Sequence, residues 1–248
     1  MEKTILSEQC GDGVLLLTIN RAKRRNALDV ETYRLLGEVF READSDESVK
    51  VIVLAGAGEH FTAGNELSDF QQLQDAESVP GIQFLRILSQ VGKPVLAAVE
   101  GYAIGIGTTL LLHCDLAYAG QGARFRLPFV SLGLTPEGGS TFLLPQLAGS
   151  KQAAELLMLG EIFSAETALD CGLINEVVSV GASLDRAIER ARQLAGLPQQ
   201  ALRLTKRLLR SGGGAVVAQV MDAEEKIFLD CCNSDDAQAA FAAFLSKV

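Results

Sequence analysis

At 248 residues, with 48% hydrophobic and 21% charged, the chain has the makeup of a folded globular protein with a large buried core and not of a disordered one. Its formal net charge of -9 argues against a nucleic-acid partner, because such binding needs clustered Lys and Arg to displace counterions. Five cysteines without CxxC spacing, and His60 and His113 as the sole histidines, leave little for a metal site, a redox motif or a Ser-His-Asp triad, so no metal is expected.

In chain order, the first residues are polar and form no apolar signal core, and no stretch approaches the roughly 18 apolar residues of a membrane span. A cytoplasmic protein with no membrane partner is expected. Gly11-Asp12-Gly13 reads as a hairpin turn leading into the apolar strand 14–19. Asp29 can cap a helix in which Tyr33, Leu36, Val39, Phe40 and Ala43 recur at three- and four-residue spacing. Two fully apolar runs, 51–55 and 95–99, read as buried parallel strands, each followed by a glycine-bearing turn and a helical pattern. A further strand at 116–119 leads through Gly120 and Gly122 into Phe125-Arg126-Leu127. Beyond Ser150 the pattern is almost wholly helical: Ser164 caps a helix that stops at Gly172, and segments 184–195, 199–209, 216–231 and 235–247 keep helical periodicity. The expected architecture is an α/β core over 1–195 followed by a helical C-terminal subdomain over 196–248, a candidate lid or oligomer contact.

Chemistry concentrates in two glycine-rich turns, Phe61-Thr62-Ala63-Gly64-Asn65-Glu66-Leu67 and Gly101-Tyr102-Ala103-Ile104-Gly105-Ile106-Gly107, and in Leu134-Thr135-Pro136-Glu137-Gly138-Gly139-Ser140. Backbone N–H groups that open a helix lack intrahelical partners and favour a negative oxygen. Gly105 and Gly107 flank Ile106, so its N–H can be presented without a neighbouring Cβ in the way; Asn65, after Gly64, supplies a second donor. Two such donors matter, because losing one from an oxyanion hole costs about 2.7 to 4 kcal/mol of barrier. Alone, either turn is better explained by tight strand-to-helix geometry; the pair favours an anion site. The second turn does not fit G-x-G-x-x-G and lies too far along the chain to open a dinucleotide fold.

Together with Cys114-Asp115-Leu116-Ala117, Pro136-Glu137-Gly138-Gly139, the run from Ala168 to Val178 and the ending Ala243-Phe244-Leu245-Ser246-Lys247, these turns resemble the crotonase (enoyl-CoA hydratase/isomerase) superfamily over nearly the whole chain. The resemblance implies a spiral of ββα units with a C-terminal helical region, an acyl-CoA thioester as ligand, no separate cofactor, and a homotrimer or dimer of trimers. It assigns the oxyanion hole to the N–H groups of Asn65 and Ile106. It assigns contacts to CoA to the turn Ala63, Gly64, Asn65, Glu66 and Leu67, to the basic run Lys23, Arg24 and Arg25, and to Lys247. Phe228 and Phe244 match aromatic positions near the acyl or pantetheine channel. The basic run reads equally well as a solvated face, and each of the two aromatics reads more readily as helix core.

The resemblance also bears on the reaction. Hydratases of this family use two glutamates, at positions that are Thr109 and Phe129 in this sequence. Hydration needs a base for water and an acid for the α proton, and both acids are missing. Glu66, Glu100 and Asp69 are the nearest substitutes, with Glu66 expected to face solvent. Glu137 instead resembles the catalytic glutamate of peroxisomal-type Δ3,Δ2-enoyl-CoA isomerases, whose motifs include an Ala-Gly-Asn-acid-Leu turn like 63–67. One base suffices for that 1,3-proton shift. Hydration, another crotonase lyase or hydrolase reaction, and an inactive CoA-binding scaffold stand as alternatives. By itself Glu137 reads as a carboxylate favoured by a helix N-terminus; in this constellation it reads as the base.

Overall fold

The computed structural model describes residues 3–70 and 78–246, leaving the side chains of Phe70, Phe244 and Leu245 outside that description. Strands β1 (Ile5–Gln9) and β2 (Val14–Ile19) pair antiparallel across the expected turn, in which Gly11, Asp12 and Gly13 all have positive φ. Strand β1 had no signature of its own, because it is an edge with only Ile5 buried. A 3-10 turn (Ala22–Arg24) then leads to α1 (Val30–Ser45), capped by the Asp29 carboxylate, which accepts from the Thr32 N–H at 2.8 Å.

Parallel strands extend the sheet on the far side of β2. These are β3 (Val51–Gly56), β4 (Val95–Val99), β6 (Leu116–Gly120) and β9 (Glu176–Val178), in the order β1-β2-β3-β4-β6-β9. Strands β3 and β4 are uniform apolar runs because both faces of the sheet are covered. On one face α1 and α3 (Pro80–Gln90) bury Leu36, Phe40, Phe84 and Leu88. On the other, α7 (Ser183–Ala195) presents Ala187, Ala191 and Ala195 to Leu96, Ala98 and Tyr118.

After each of β3, β4 and β6 the chain enters a second, smaller layer. Thr62 bridges Ala103, and β5 (Tyr102–Ile104) pairs with β7 (Arg124–Arg126), which pairs with β8 (Phe163–Ser164). Helices α2 (Leu67–Phe70) with α3, then α4 (Ile106–Thr109), then α5 (Ser140–Met158) follow these three excursions. This is the expected spiral of ββα units. It places the exits of successive strands side by side, which is what positions the site.

Two short strands, not anticipated from the sequence, interrupt the almost wholly helical pattern expected after Ser150. Strand β8 is two residues long and β9 three, too short for a period-2 signal, and β9 nonetheless completes the large sheet. The remaining helices are α6 (Ala165–Asp170), α8 (Gln199–Ser211), α9 (Gly214–Cys232) and α10 (Asp235–Leu245). Helix α8 is tied to the strands through the buried Lys206, whose ammonium meets Asp115 at 2.6 Å. Among the described residues no helix is long and apolar enough to cross a membrane.

Candidate active site

The two glycine turns touch. Gly64 has φ of 85°, and a Cβ there would sit 2.4 Å from the Ile104 carbonyl oxygen, so no side chain fits between them. Gly107 serves a purpose the sequence did not reveal: it lets α4 lie against Thr62 of the first turn, where a Cβ would come within 2.5 Å of the Thr62 methyl. Gly105, with φ of 57° and ψ of -119°, starts α4 and leaves Ile106 as its first residue. Among the described residues the N–H groups of Asn65 and Ile106 meet no protein acceptor.

Beside these turns lies a cavity of about 220 Å³. Residues 63–67 form one wall with Ile104 and Gly105, and Pro128, Phe129, Leu132, Leu134 and Phe228 form an apolar one. Glu66 corrects its expectation. It is on the cavity wall and half-buried, because its carboxylate pairs with the Arg24 guanidinium at 2.9 Å. Lys23 and Arg25 are exposed on the same turn, and the Arg25 carbonyl accepts from the Ala63 N–H at 2.9 Å, which holds the basic run beside the first glycine turn. Lys247 and the Phe244 side chain lie outside the described residues. Of the other substitute acids, Glu100 accepts from the Ser183 N–H at the start of α7, and Asp69 from the Val30 N–H at the start of α1.

Glu137 sits between the left-handed Gly133 and the left-handed Gly138-Gly139 pair that opens α5, and it is 2% exposed. Its Oε1 accepts from the Thr109 hydroxyl, one turn along from Ile106, while its Oε2 is buried with no partner among the described residues. Burial pushes its pKa from 4.5 to about 8; the Thr109 bond opposes this and the nearby Glu224 carboxylate reinforces it. His113 extends the same connection: its Nε2–H donates to the Gly138 carbonyl at 2.7 Å, and burial lowers its pKa to about 4, so the ring is neutral. The turn bearing Glu137 is therefore stitched at two points to the run that begins with Ile106.

Position 109 thus holds a hydroxyl that serves Glu137, and position 129 a buried ring on the cavity wall. Tyr33 was read only as helix core, yet its hydroxyl donates to the Asn65 side-chain oxygen at 2.6 Å, steadying the first turn. A buried tyrosine, unlike a phenylalanine, needs such a partner, and that was the available signal. Arg126, also on the cavity wall, had no signal beyond its charge. Among the described residues no group of three or more His, Cys, Asp or Glu is placed to hold a metal ion.

A ββα spiral whose second-layer turns touch each other beside an apolar cavity, with Asn65 and Gly105 on its wall, is the architecture of a crotonase-type acyl-CoA enzyme. The enoyl-CoA hydratase/isomerase family model matches residues 9–248, and the chain belongs to that family. It is 33% identical to the short-chain-enoyl-CoA hydratase of Clostridium acetobutylicum, over 94% of this chain and 92% of that one. It is 34% identical to the 1,2-epoxyphenylacetyl-CoA isomerase of Escherichia coli K12, over 95% and 93%. Among solved structures, an enoyl-CoA hydratase/isomerase from Pseudoalteromonas atlantica superposes with a TM-score of 0.92 at 36% identity, covering 99% of this chain and 98% of that one.

Proposed function

We propose that the chain is a Δ3,Δ2-enoyl-CoA isomerase that moves a double bond with Glu137 as its one base. The observation that supports this most is a buried carboxyl, Glu137, whose Oε2 has no partner among the described residues and which is tied through Thr109 to the helix that starts at Ile106. Glu137, as the carboxylate, takes a proton from C2 of a 3-enoyl-CoA. The electrons of that bond pass through C1 onto the thioester oxygen, which accepts from the N–H groups of Asn65 and Ile106. The neutral acid then returns the proton to C4 as the C2–C3 double bond forms. No water is consumed, and the coenzyme is part of the substrate. In this reading Lys23, Arg24, Arg25 and Lys247 meet the CoA phosphates, and Phe228 and Phe244 border the acyl or pantetheine channel. Segment 196–248 acts as lid and trimerisation element. The exposed Met158, Leu159 and Ile162 offer apolar surface for a homotrimer or dimer of trimers, and the five free cysteines suit a reducing cytoplasm.

The test supplies 3-trans-enoyl-CoA and crotonyl-CoA to the same preparation and follows conjugation and hydration separately. Conjugation without appreciable hydration is expected, and rapid hydration without isomerisation would overturn the reading. Because the base must be ionised and its pKa is about 8, kcat/KM for isomerisation should climb with pH and level off above about pH 8. A profile already flat at pH 6 would remove Glu137 as the titrating base. The oxyanion turn is tested by Gly64→Ala, whose Cβ would meet the Ile104 carbonyl at 2.4 Å and whose φ of 85° is strained for alanine. Its kcat/KM should fall about a hundredfold, as for loss of one oxyanion donor. An unaffected kcat/KM would mean that this turn is not the hole.

A further inference from the structure

Helix α9 carries two adjacent carboxylates on its buried face, between Met221 and Phe228, and each closes the start of a different helix. Glu224 accepts from the Gly139 N–H at 2.6 Å through Oε2, and from the Thr141 N–H at 3.0 Å and the Thr141 hydroxyl through Oε1. These donors lie at the opening turn of α5, directly after Glu137. Glu225 accepts from the Val79 N–H at 2.8 Å, at the start of α3, and pairs with Arg86 at 2.8 Å. Buried carboxylates are retained where their lone pairs are filled, and a helix N-terminus fills them with charge-assisted bonds. The fit around Glu224 is close: a Cβ on Gly139 would stand 3.2 Å from Val217 of α9.

We propose that Glu224 is a positioning residue for Glu137: from helix α9 it holds the first N–H groups of α5 and thereby fixes the turn on which the base is carried. The inference rests on Glu137 being that base. Glu224 also acts through its charge, because a second carboxylate close by disfavours ionisation of Glu137. The titratable groups facing this turn are Tyr33 from α1, His113 from the run after α4, and Glu224 from α9; Glu225 faces α3 instead, paired to Arg86. Of these, Glu224 is the one that accepts from backbone N–H groups on the C-terminal side of the base, while His113 donates to the Gly138 carbonyl there. The spacing Met221, Glu224, Glu225, Phe228 puts both acids on the helix's apolar side, a pattern visible in the sequence.

The test is Glu224→Gln in the full-length protein, read two ways. Isomerisation of 3-trans-enoyl-CoA gives kcat and KM separately. Infrared titration follows the protonated carboxyl band of Glu137, assigned by its loss in Glu137→Gln. Removing the neighbouring charge and loosening the turn both ease ionisation, so the midpoint of Glu137 should fall by about one pH unit. The kcat at its pH optimum should drop about ten- to a hundredfold while KM stays within about twofold, as expected for a misplaced base and not for lost binding. A wild-type kcat or an unmoved midpoint overturns the inference. Should Glu137→Gln itself keep full activity, the base reading falls, and the titration alone decides: a moved midpoint sustains the positioning role and an unmoved one ends it. If Glu224→Gln does not fold, Thr141→Val removes one donor and keeps both acids. Its kcat should then fall about threefold or more at unchanged KM, and a wild-type kcat counts against the role.

Discussion

Glu137→Gln should lower turnover of a 3-enoyl-CoA by about 10²- to 10⁴-fold, the usual worth of a positioned acid/base group, with KM changed little. Glutamine has the same shape, and its amide oxygen can still accept from the Thr109 hydroxyl, so the turn stays stitched to the run after α4. What disappears is the group that takes a proton from C2 and returns it to C4. Exchange of the C2 protons for solvent deuterium, followed by NMR with a bound acyl-CoA, separates this from a folding defect, because the variant should bind the thioester and fail to exchange it. Full turnover in the variant would exclude Glu137 from the chemistry. Retained exchange with lost turnover would leave it only the second proton transfer, and a different base would then have to serve C2.

The same substitution should stabilise the protein, and by more as pH rises. Glu137 is buried with one oxygen unpartnered, and its folded pKa of about 8 lies well above the 4.5 of an ordinary glutamate. Below about pH 4.5 the carboxyl is neutral in both the folded and unfolded chain and costs little. Between about 4.5 and 8 the unfolded chain ionises while the folded one holds its proton, so the wild type loses stability steadily across that window. Glutamine does not ionise and escapes the loss. By pH 8 the variant should therefore lead by an amount on the order of 4 kcal/mol, less whatever solvent entry relieves. Urea unfolding at pH 5 and pH 8 measures it. Equal gaps at the two pH values would show that Glu137 is not held neutral in the folded protein. A catalytic group that destabilises its own fold is a common cost of function.

Much of the fold was legible because it is written in short-range patterns. The runs that became β3 and β4 are apolar throughout and that of β2 is apolar but for Thr18, since both faces of the sheet are covered, and Asp29 announced α1. Strands β1, β8 and β9 were not legible. The first exposes all but one side chain, and the others are two and three residues long, so their partner strands, in the large sheet for β1 and β9 and in the small one for β8, hold them in place more than their own sequence does. In the site, the turns at 64 and 105 were visible as glycines, but the part Gly107 plays is a contact with Thr62, 45 positions away in no readable pattern. The Glu66 side chain was expected in solvent because a turn glutamate usually is; Arg24 draws it onto the cavity wall.

By itself the sequence determined which groups are available: two glycine turns with N–H groups to offer, a basic run at 23–25, Glu137 in a turn of its own, and a threonine and a phenylalanine at the positions where hydratases of the family carry acids. These are local properties, set by which residues lack a Cβ, carry charge or lack it. The tertiary structure alone decided what those groups meet. It laid Gly64 against Ile104, tied Glu137 to Thr109, aimed Tyr33 at Asn65 and brought Glu224 from the far end of the chain to the start of α5. Burial, and with it the elevated pKa of Glu137, follows from those long-range contacts, because desolvation depends on everything packed around a carboxyl and hardly at all on its neighbours along the chain.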